Sequence, residues 1–196
     1  MLKKVAVLVS GGGTNLQAII NAQKKGIIKS GRVSIVISNN PTAYALIRAE
    51  KAGIKSVVIT KKQEGSQEGF EDKLIKTLMD EKIDLIVLAG FMSILSEKFT
   101  KTFENKIINV HPSLIPSFCG KGYYGLKVHE EALKKGVKVT GATVHYVNEI
   151  PDGGEIIMQK AVYIKEGDTP EVLQKRVMKN AEWKLLPSAI EQICSK

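Results

Sequence analysis

The sequence predicts an α/β protein, a doubly wound and mostly parallel sheet with an antiparallel annex towards its C-terminus. Three observations predict it. Short β-branched runs alternate with longer segments of helical period up to about residue 112. The runs are almost continuously apolar, as strands covered on both faces are. Beyond residue 112 the alternation gives way to two adjacent strand-length runs joined across a turn.

The elements follow in order. Val5–Val9 reads as the first strand and Asn15–Lys25 as the first helix, then Val33–Ile37 and Ala43–Ala52, Val57–Ile59 and Phe70–Lys82, Leu85–Leu88 and a short helix near Ser96–Phe103, and Ile107–Val110. Such βαβ alternation implies parallel pairing with right-handed crossovers. A helix over Leu126–Lys135 leads to strands at Lys138–Val147 and Glu155–Tyr163, with turn residues at Pro151-Asp152-Gly153-Gly154. The last helix starts with Thr169 as cap and Pro170 in its first turn and runs to about Ile193, with Pro187 expected to kink or interrupt it. No internal repeat or interdomain linker is evident, so 1–196 reads as one domain.

Composition excludes several classes. With 196 residues, 43% of them apolar and 25% charged, the chain can bury a core without disulfides or a metal. Cys119 and Cys194 lie far apart outside any CxxC or Cys/His cluster, which argues for a reducing compartment and against structural zinc. No apolar run reaches the ~18 residues of a membrane span, and Met1-Leu2-Lys3-Lys4 leads straight into a strand, so a cytoplasmic protein without a membrane partner is expected. The formal charge of +9 comes from scattered lysines with few aromatics, a pattern better suited to a small polyanionic substrate than to nucleic acid.

Chemistry concentrates in three places. Ser10-Gly11-Gly12-Gly13-Thr14-Asn15 lies between the first strand and the first helix, where backbone amides and a helix N-terminus gather positive potential. It is neither a P-loop nor a dinucleotide fingerprint, since no Gly-Lys-Ser/Thr follows and Leu16 occupies the third glycine position. A tight strand-to-helix passage also explains it, but a phosphomonoester site is the favoured reading. Asn109 and His111 stand two apart at the end of an apolar run closed by Pro112, so a strand would present an amide donor and an acid/base group on one face. The apolar stretch Ala89–Leu95, beyond another strand end, suits a flat ring as well as plain core packing. In an open α/β sheet, ligands bind beyond the carboxyl ends of the strands, where all three places fall. Asp152 is by default a solvated turn residue, and alternatively a carboxylate that holds an imidazole. His129, on a helix expected to be exposed, and His145, within a strand, read as structural.

With these residues assembled, the chain resembles the glycinamide ribonucleotide formyltransferases of purine synthesis that use 10-formyltetrahydrofolate. Six blocks carry the resemblance in order: Ser-Gly-Gly-Gly-Thr-Asn-Leu-Gln at 10–17, Ile-Ser-Asn-Asn at 37–40, Ala-Gly-Phe-Met-Ser-Ile-Leu-Ser at 89–96, Asn-Val-His-Pro-Ser-Leu-Ile-Pro at 109–116, Thr-Gly-Ala-Thr-Val-His-Tyr-Val at 140–147 and Asp-Gly-Gly at 152–154. The resemblance implies a Rossmann-like fold, with a phosphate-binding half at about 1–100 and a folate and catalytic half at about 85–196. It implies that Gly13, Thr14 and Asn15 hold the phosphate, and that Lys179 and Glu182 hold the phosphoribosyl part. Met92, Ser93, Ile94 and Leu95 would contact the folate, and Asn148, Glu149, Ile150, Pro151 and Asp152 would close over the pterin. Asn109, His111 and Asp152 would be catalytic, with His111 kept cationic by Asp152. The implied partners are small molecules alone, with no metal, in a monomer or homodimer.

Gln67 and Ser93 stand where many family members carry arginines, which weakens the expected contact of Gln67 with the folate tail. The trio alone does not fix the acceptor: methionyl-tRNA formyltransferases and formyltetrahydrofolate hydrolases share it but carry a further domain. A non-catalytic phosphate-binding module would use the glycine turn without needing the trio.

Overall fold

The computed structural model describes every residue from Met1 to Lys196. Its strands are β1 (Lys3–Val9), β2 (Gly31–Ser38), β3 (Lys55–Val58), β4 (Leu85–Leu88), β5 (Ile107–His111), β6 (Val139–Tyr146) and β7 (Ile156–Tyr163). They form one sheet in the order β3-β2-β1-β4-β5-β6-β7. Pairing is parallel from β3 across to β5 and antiparallel for β5 with β6 and β6 with β7, as the sequence predicts. The helices are α1 (Thr14–Lys24), α2 (Tyr44–Lys51), α3 (Lys61–Glu64), α4 (Gln67–Asp80), α5 (Glu97–Thr102), α6 (Leu126–Lys135), α7 (Pro170–Val177) and α8 (Trp183–Cys194). None is long and apolar enough to cross a membrane.

The sheet separates two apolar clusters. Val5, Val7 and Val9 of β1 point to the larger one, with Leu16 and Ile19 of α1, Leu173 and Val177 of α7, and Leu186 and Ile190 of α8. Ala6 and Leu8 point the other way, onto Phe70, Leu74 and Leu78 of α4 and Phe99 of α5. Two-sided burial is why these strands read as unbroken apolar runs. β3 departs from that expectation: it is a short edge strand whose residues are half-exposed or exposed.

Side-chain caps fix several helix starts. Thr60 and Gln63 form a reciprocal capping box on α3, while Ser66, Ser96 and Thr169 accept from the backbone of α4, α5 and α7. The last helical stretch differs from prediction. α8 passes through Pro187 unbroken, and the irregularity lies upstream as a π-helical turn over Met178–Glu182. That turn ends one residue before Trp183, whose carbonyl a residue with an N–H at 187 would have bonded. A second correction concerns His129. It is fully buried on α6 between Val128 and Ala132, with no hydrogen-bond partner on either ring nitrogen.

Strand order sets the position of the crevice. The chain leaves β1 for β2 and β3, then returns to place β4 on the other side of β1, so the connections after β1 and β4 diverge around a switch point.

Candidate active site

On β5, Ile108 and Val110 enter the larger core cluster and Ile107 the smaller, so Asn109 and His111 share the face of Ile107. Register then supplies a neighbour that the sequence reading set aside as structural. In the antiparallel β5·β6 pair, Asn109 lies opposite His145 and His111 opposite Thr143. His145 Nδ1 donates to the Tyr146 carbonyl at 2.7 Å, and Nε2 lies 3.4 Å from Asn109 Nδ2, where it accepts when bare and, when protonated, donates to Asp152 instead. In either state the Asn109 amide keeps an N–H uncommitted.

Asp152 arrives on the loop between β6 and β7 and converges on both imidazoles. Its Oδ2 is 3.4 Å from His111 Nδ1 and its Oδ1 3.5 Å from His145 Nε2, while Gly120 N–H donates to Oδ2 at 2.8 Å. Asp152 has φ 56°, in the left-handed region that aspartate tolerates better than most residues. Gly153 and Gly154 after it are required by space: a Cβ on Gly154 would sit 1.8 Å from the Tyr146 carbonyl oxygen and one on Gly153 2.6 Å from Ile150. The turn chemistry of residues 151–154 thus delivers a carboxylate.

Electrostatics corrects one expectation. His111 is 4% exposed, and burial pushes its imidazole below the ordinary value despite the upward pull of Asp152 and of the Phe118 carbonyl, 2.8 Å from Nε2. Asp152 therefore does not keep His111 cationic in the unliganded protein; desolvation of the charged ring prevails. For Asp152, burial pulls upward, but the hydrogen bond with His145, the His111 ring and the Gly120 N–H together outweigh it and hold the carboxyl low. An ionised carboxylate thus faces a neutral imidazole at pH 7. Cys119, beside this loop, has a thiol that burial and the Asp152 charge push up, which makes it a poor nucleophile.

The glycine turn lies at the end of β1. Gly13 caps α1 at φ 69°, and a Cβ there would come 2.7 Å from that of Ala45, whereas Gly11 and Gly12 face open space. The backbone N–H groups of Gly11 to Leu16 have no protein acceptor, so the turn and the first turn of α1 offer a row of donors. Arg48, which the sequence reading did not single out, braces the turn by donating Nε to the Gly12 carbonyl at 2.8 Å. Asn15 and Glu182 meet across the sequence, Asn15 Nδ2 donating to Glu182 Oε2 at 2.9 Å. Burial raises the Glu182 carboxyl against the opposing pull of Asn15. Lys179 is exposed on the same π-helical turn.

Large apolar side chains remain uncovered near these groups. Met92 is 57% exposed, Ile94 78% and Ile150 58%, while Leu95 and Val147 anchor their two loops in the smaller core cluster. Asn148 Oδ1 accepts from Ile150 N–H at 3.0 Å and shapes the second loop, on which Glu149 and Pro151 are exposed. Gln67 spends its amide internally, donating to Glu71 at 2.7 Å and to the Ile94 carbonyl at 3.1 Å.

Residues 3–190 match the family described as formyl transferase. The chain belongs to the formyl transferase family. Within it, the chain is 42% identical over 190 residues to a phosphoribosylglycinamide formyltransferase of Haemophilus influenzae, covering 97% of this chain and 86% of that protein. It is 47% identical over 192 residues to the trifunctional purine biosynthetic protein adenosine-3 of Gallus gallus, spanning 98% of this chain and 18% of that longer protein. Among solved structures of the family, glycinamide ribonucleotide transformylase 1 of Symbiobacterium toebii superposes with TM-score 0.92 at 40% identity, over 99% of this chain and 88% of that one. Phosphoribosylglycinamide formyltransferase of Bacillus halodurans superposes with TM-score 0.90 at 37% identity, over 99% and 96%. The predicted resemblance and fold class are thereby borne out.

Proposed function

We propose that the chain transfers the formyl group of 10-formyltetrahydrofolate to the amine of glycinamide ribonucleotide, a step of purine synthesis. The observation that carries this reading is the convergence of Asn109, His111 and Asp152, with the two contacts of Asp152 at 3.4 and 3.5 Å, at the same carboxyl edge of the parallel strands as a turn rich in free N–H groups. The name of the relative at 42% identity supports the same acceptor and transferred group, and that of the relative at 47% supports a place in purine biosynthesis.

The acceptor's phosphate takes the N–H groups of Gly13, Thr14 and Asn15. Lys179 and Glu182 hold its ribose phosphate from the opposite side. The folate ring lies between Met92–Leu95 and Asn148–Asp152, with the tail passing Gln67. The acceptor amine attacks the formyl carbon, and the former carbonyl oxygen gains negative charge. The uncommitted N–H of Asn109 and the ring of His111 donate to that oxygen, the kind of preorganised contact that contributes about 3 kcal/mol per donor. His111 enters neutral, its Nε2–H on the Phe118 carbonyl, and takes at Nδ1, through Asp152 or a water, the proton that the attacking amine loses. The imidazolium so formed, stabilised by Asp152, favours the oxyanion, and that one proton then passes on to the departing folate nitrogen. The bond from the formyl carbon to that nitrogen breaks, releasing tetrahydrofolate and the formamide. Phosphate, folate and catalytic groups work as one domain on small molecules, with no covalent intermediate in the scheme.

The test is consumption of 10-formyltetrahydrofolate by purified protein with and without glycinamide ribonucleotide. Turnover should require the acceptor, and Asn109→Ala should lose about 10²- to 10³-fold in kcat. Absence of acceptor-dependent turnover would sink the proposal.

A further inference from the structure

The loop from Gly90 to Leu95, between β4 and α5, takes part in no main-chain to main-chain hydrogen bond. Three side-chain bonds fasten it instead. Met92 N–H donates to Ser10 Oγ at 2.8 Å, Asn39 Nδ2 donates to Ser93 Oγ at 2.7 Å, and Gln67 Nε2 donates to the Ile94 carbonyl at 3.1 Å. Ser10 differs from the other two because it is the residue from which the glycine turn departs. Its carbonyl accepts from Asn40 Nδ2 at 3.1 Å, and the next carbonyl, of Gly11, accepts from Ala45 N–H at 3.1 Å. One half-buried serine therefore ties together the connections after β1, β2 and β4, across the switch point of the sheet.

We propose that Ser10 is a positioning residue that couples the two substrates, so that a phosphate-bearing acceptor on the glycine turn favours binding of the folate ring at Met92–Leu95. The coupling rests on the formyl-transfer reading above and adds a physical link between its two half-sites. A glycine turn has unusual backbone freedom. An anion that takes the N–H groups of that turn restricts the backbone carrying Ser10 and holds its Oγ where Met92 N–H needs an acceptor. The loop then has one of its few anchors in place before the folate arrives. Part of the ordering cost of the second ligand has already been met by the first, which is positive cooperativity without a large movement. A hydroxyl that accepts one bond also keeps a proton to donate, so polarisation by a nearby anion strengthens the Met92 contact.

The experiment measures the Kd of tetrahydrofolate, the unreactive product, with and without saturating glycinamide ribonucleotide. Wild-type protein should bind it about 5- to 10-fold tighter in the presence of the acceptor, and the acceptor's affinity should improve by the same factor when tetrahydrofolate is present. In Ser10→Ala that factor should fall below about 2, and Ser10→Thr, which keeps the hydroxyl, should restore it. Asn39→Ala removes a different anchor of the same loop; it should weaken tetrahydrofolate with and without acceptor alike and keep the wild-type coupling factor. A purely structural loss would move both affinities and leave the factor unchanged. Equal coupling in wild type and Ser10→Ala, or none in wild type, overturns the proposal for Ser10. Failure of wild-type protein to bind either ligand overturns the formyl-transfer reading itself.

Discussion

Asn15 and Glu182, 167 residues apart in sequence, are joined by a 2.9 Å hydrogen bond that gives the buried Glu182 carboxyl its side-chain partner. The bond clamps the start of α1 to the π-helical turn before α8. Asn15→Ala leaves that carboxyl unpaired away from water, so urea denaturation should show a loss of about 1–3 kcal/mol. In steady-state assays the variant should raise KM for the acceptor more than it lowers kcat.

Gly13 and Gly12 separate two roles of glycine. Gly13→Ala must hold φ 69° and bring a Cβ 2.7 Å from that of Ala45, so unfolding measurements should find it destabilised by about 2–4 kcal/mol. Gly12→Ala meets open space and should fall within about 1 kcal/mol of wild type.

His111 carries a prediction about sign. Burial lowers its pKa and the Asp152 charge is the largest influence raising it. NMR titration of the ring should therefore give a midpoint below 6.5 in wild type and a lower one in Asp152→Asn. A midpoint that rises on substitution would contradict the contact.

His129 makes stability depend on pH. Burial pushes its pKa down to about 4, against roughly 6.5 in an unfolded chain. The unfolded state thus binds more protons between those values, and stability falls as pH drops through that window. At about 1.4 kcal/mol per unit, lowering the pH from 7.5 to 5 should cost about 2 kcal/mol through this residue. His129→Leu, which removes two unpartnered nitrogens, should lose that share of the pH dependence; urea melts at the two pH values measure it.

Gln67→Arg tests the folate tail. The glutamine's amide already serves Glu71 and the Ile94 carbonyl, and a guanidinium there would add a charge for a tail carboxylate. Its KM for the glutamylated co-substrate should fall about 3- to 10-fold at low salt, and less at high salt.

The central strands were legible because they are covered on both faces, and the antiparallel annex because its turn residues are demanding ones. The trio was legible through the i, i+2 spacing of Asn109 and His111 and through family resemblance for Asp152. His145 was not, because its value depends on which residue lies opposite it, and that register exists only once β6 pairs antiparallel with β5. His129 was missed because a polar residue at an inward position of an amphipathic helix reads as a surface one. The charge state of His111 was misread because proximity of a carboxylate is visible as a motif, whereas the depth of desolvation opposing it is not.

The π-helical turn at Met178–Glu182 is equivalent to one residue inserted into a helix, and each residue turns an α-helix by about 100°. The apolar stripes of α7 and α8 are thereby rephased, so both reach the same side of the sheet while Glu182, at the end of the turn, meets Asn15. Deleting one residue within this turn would make the helix more regular yet rotate one stripe away from the core or carry the carboxylate out of the crevice. Length at this point is therefore constrained as well as residue identity, and a single-residue gap should not be accepted even where substitution of the exposed Asn180 is.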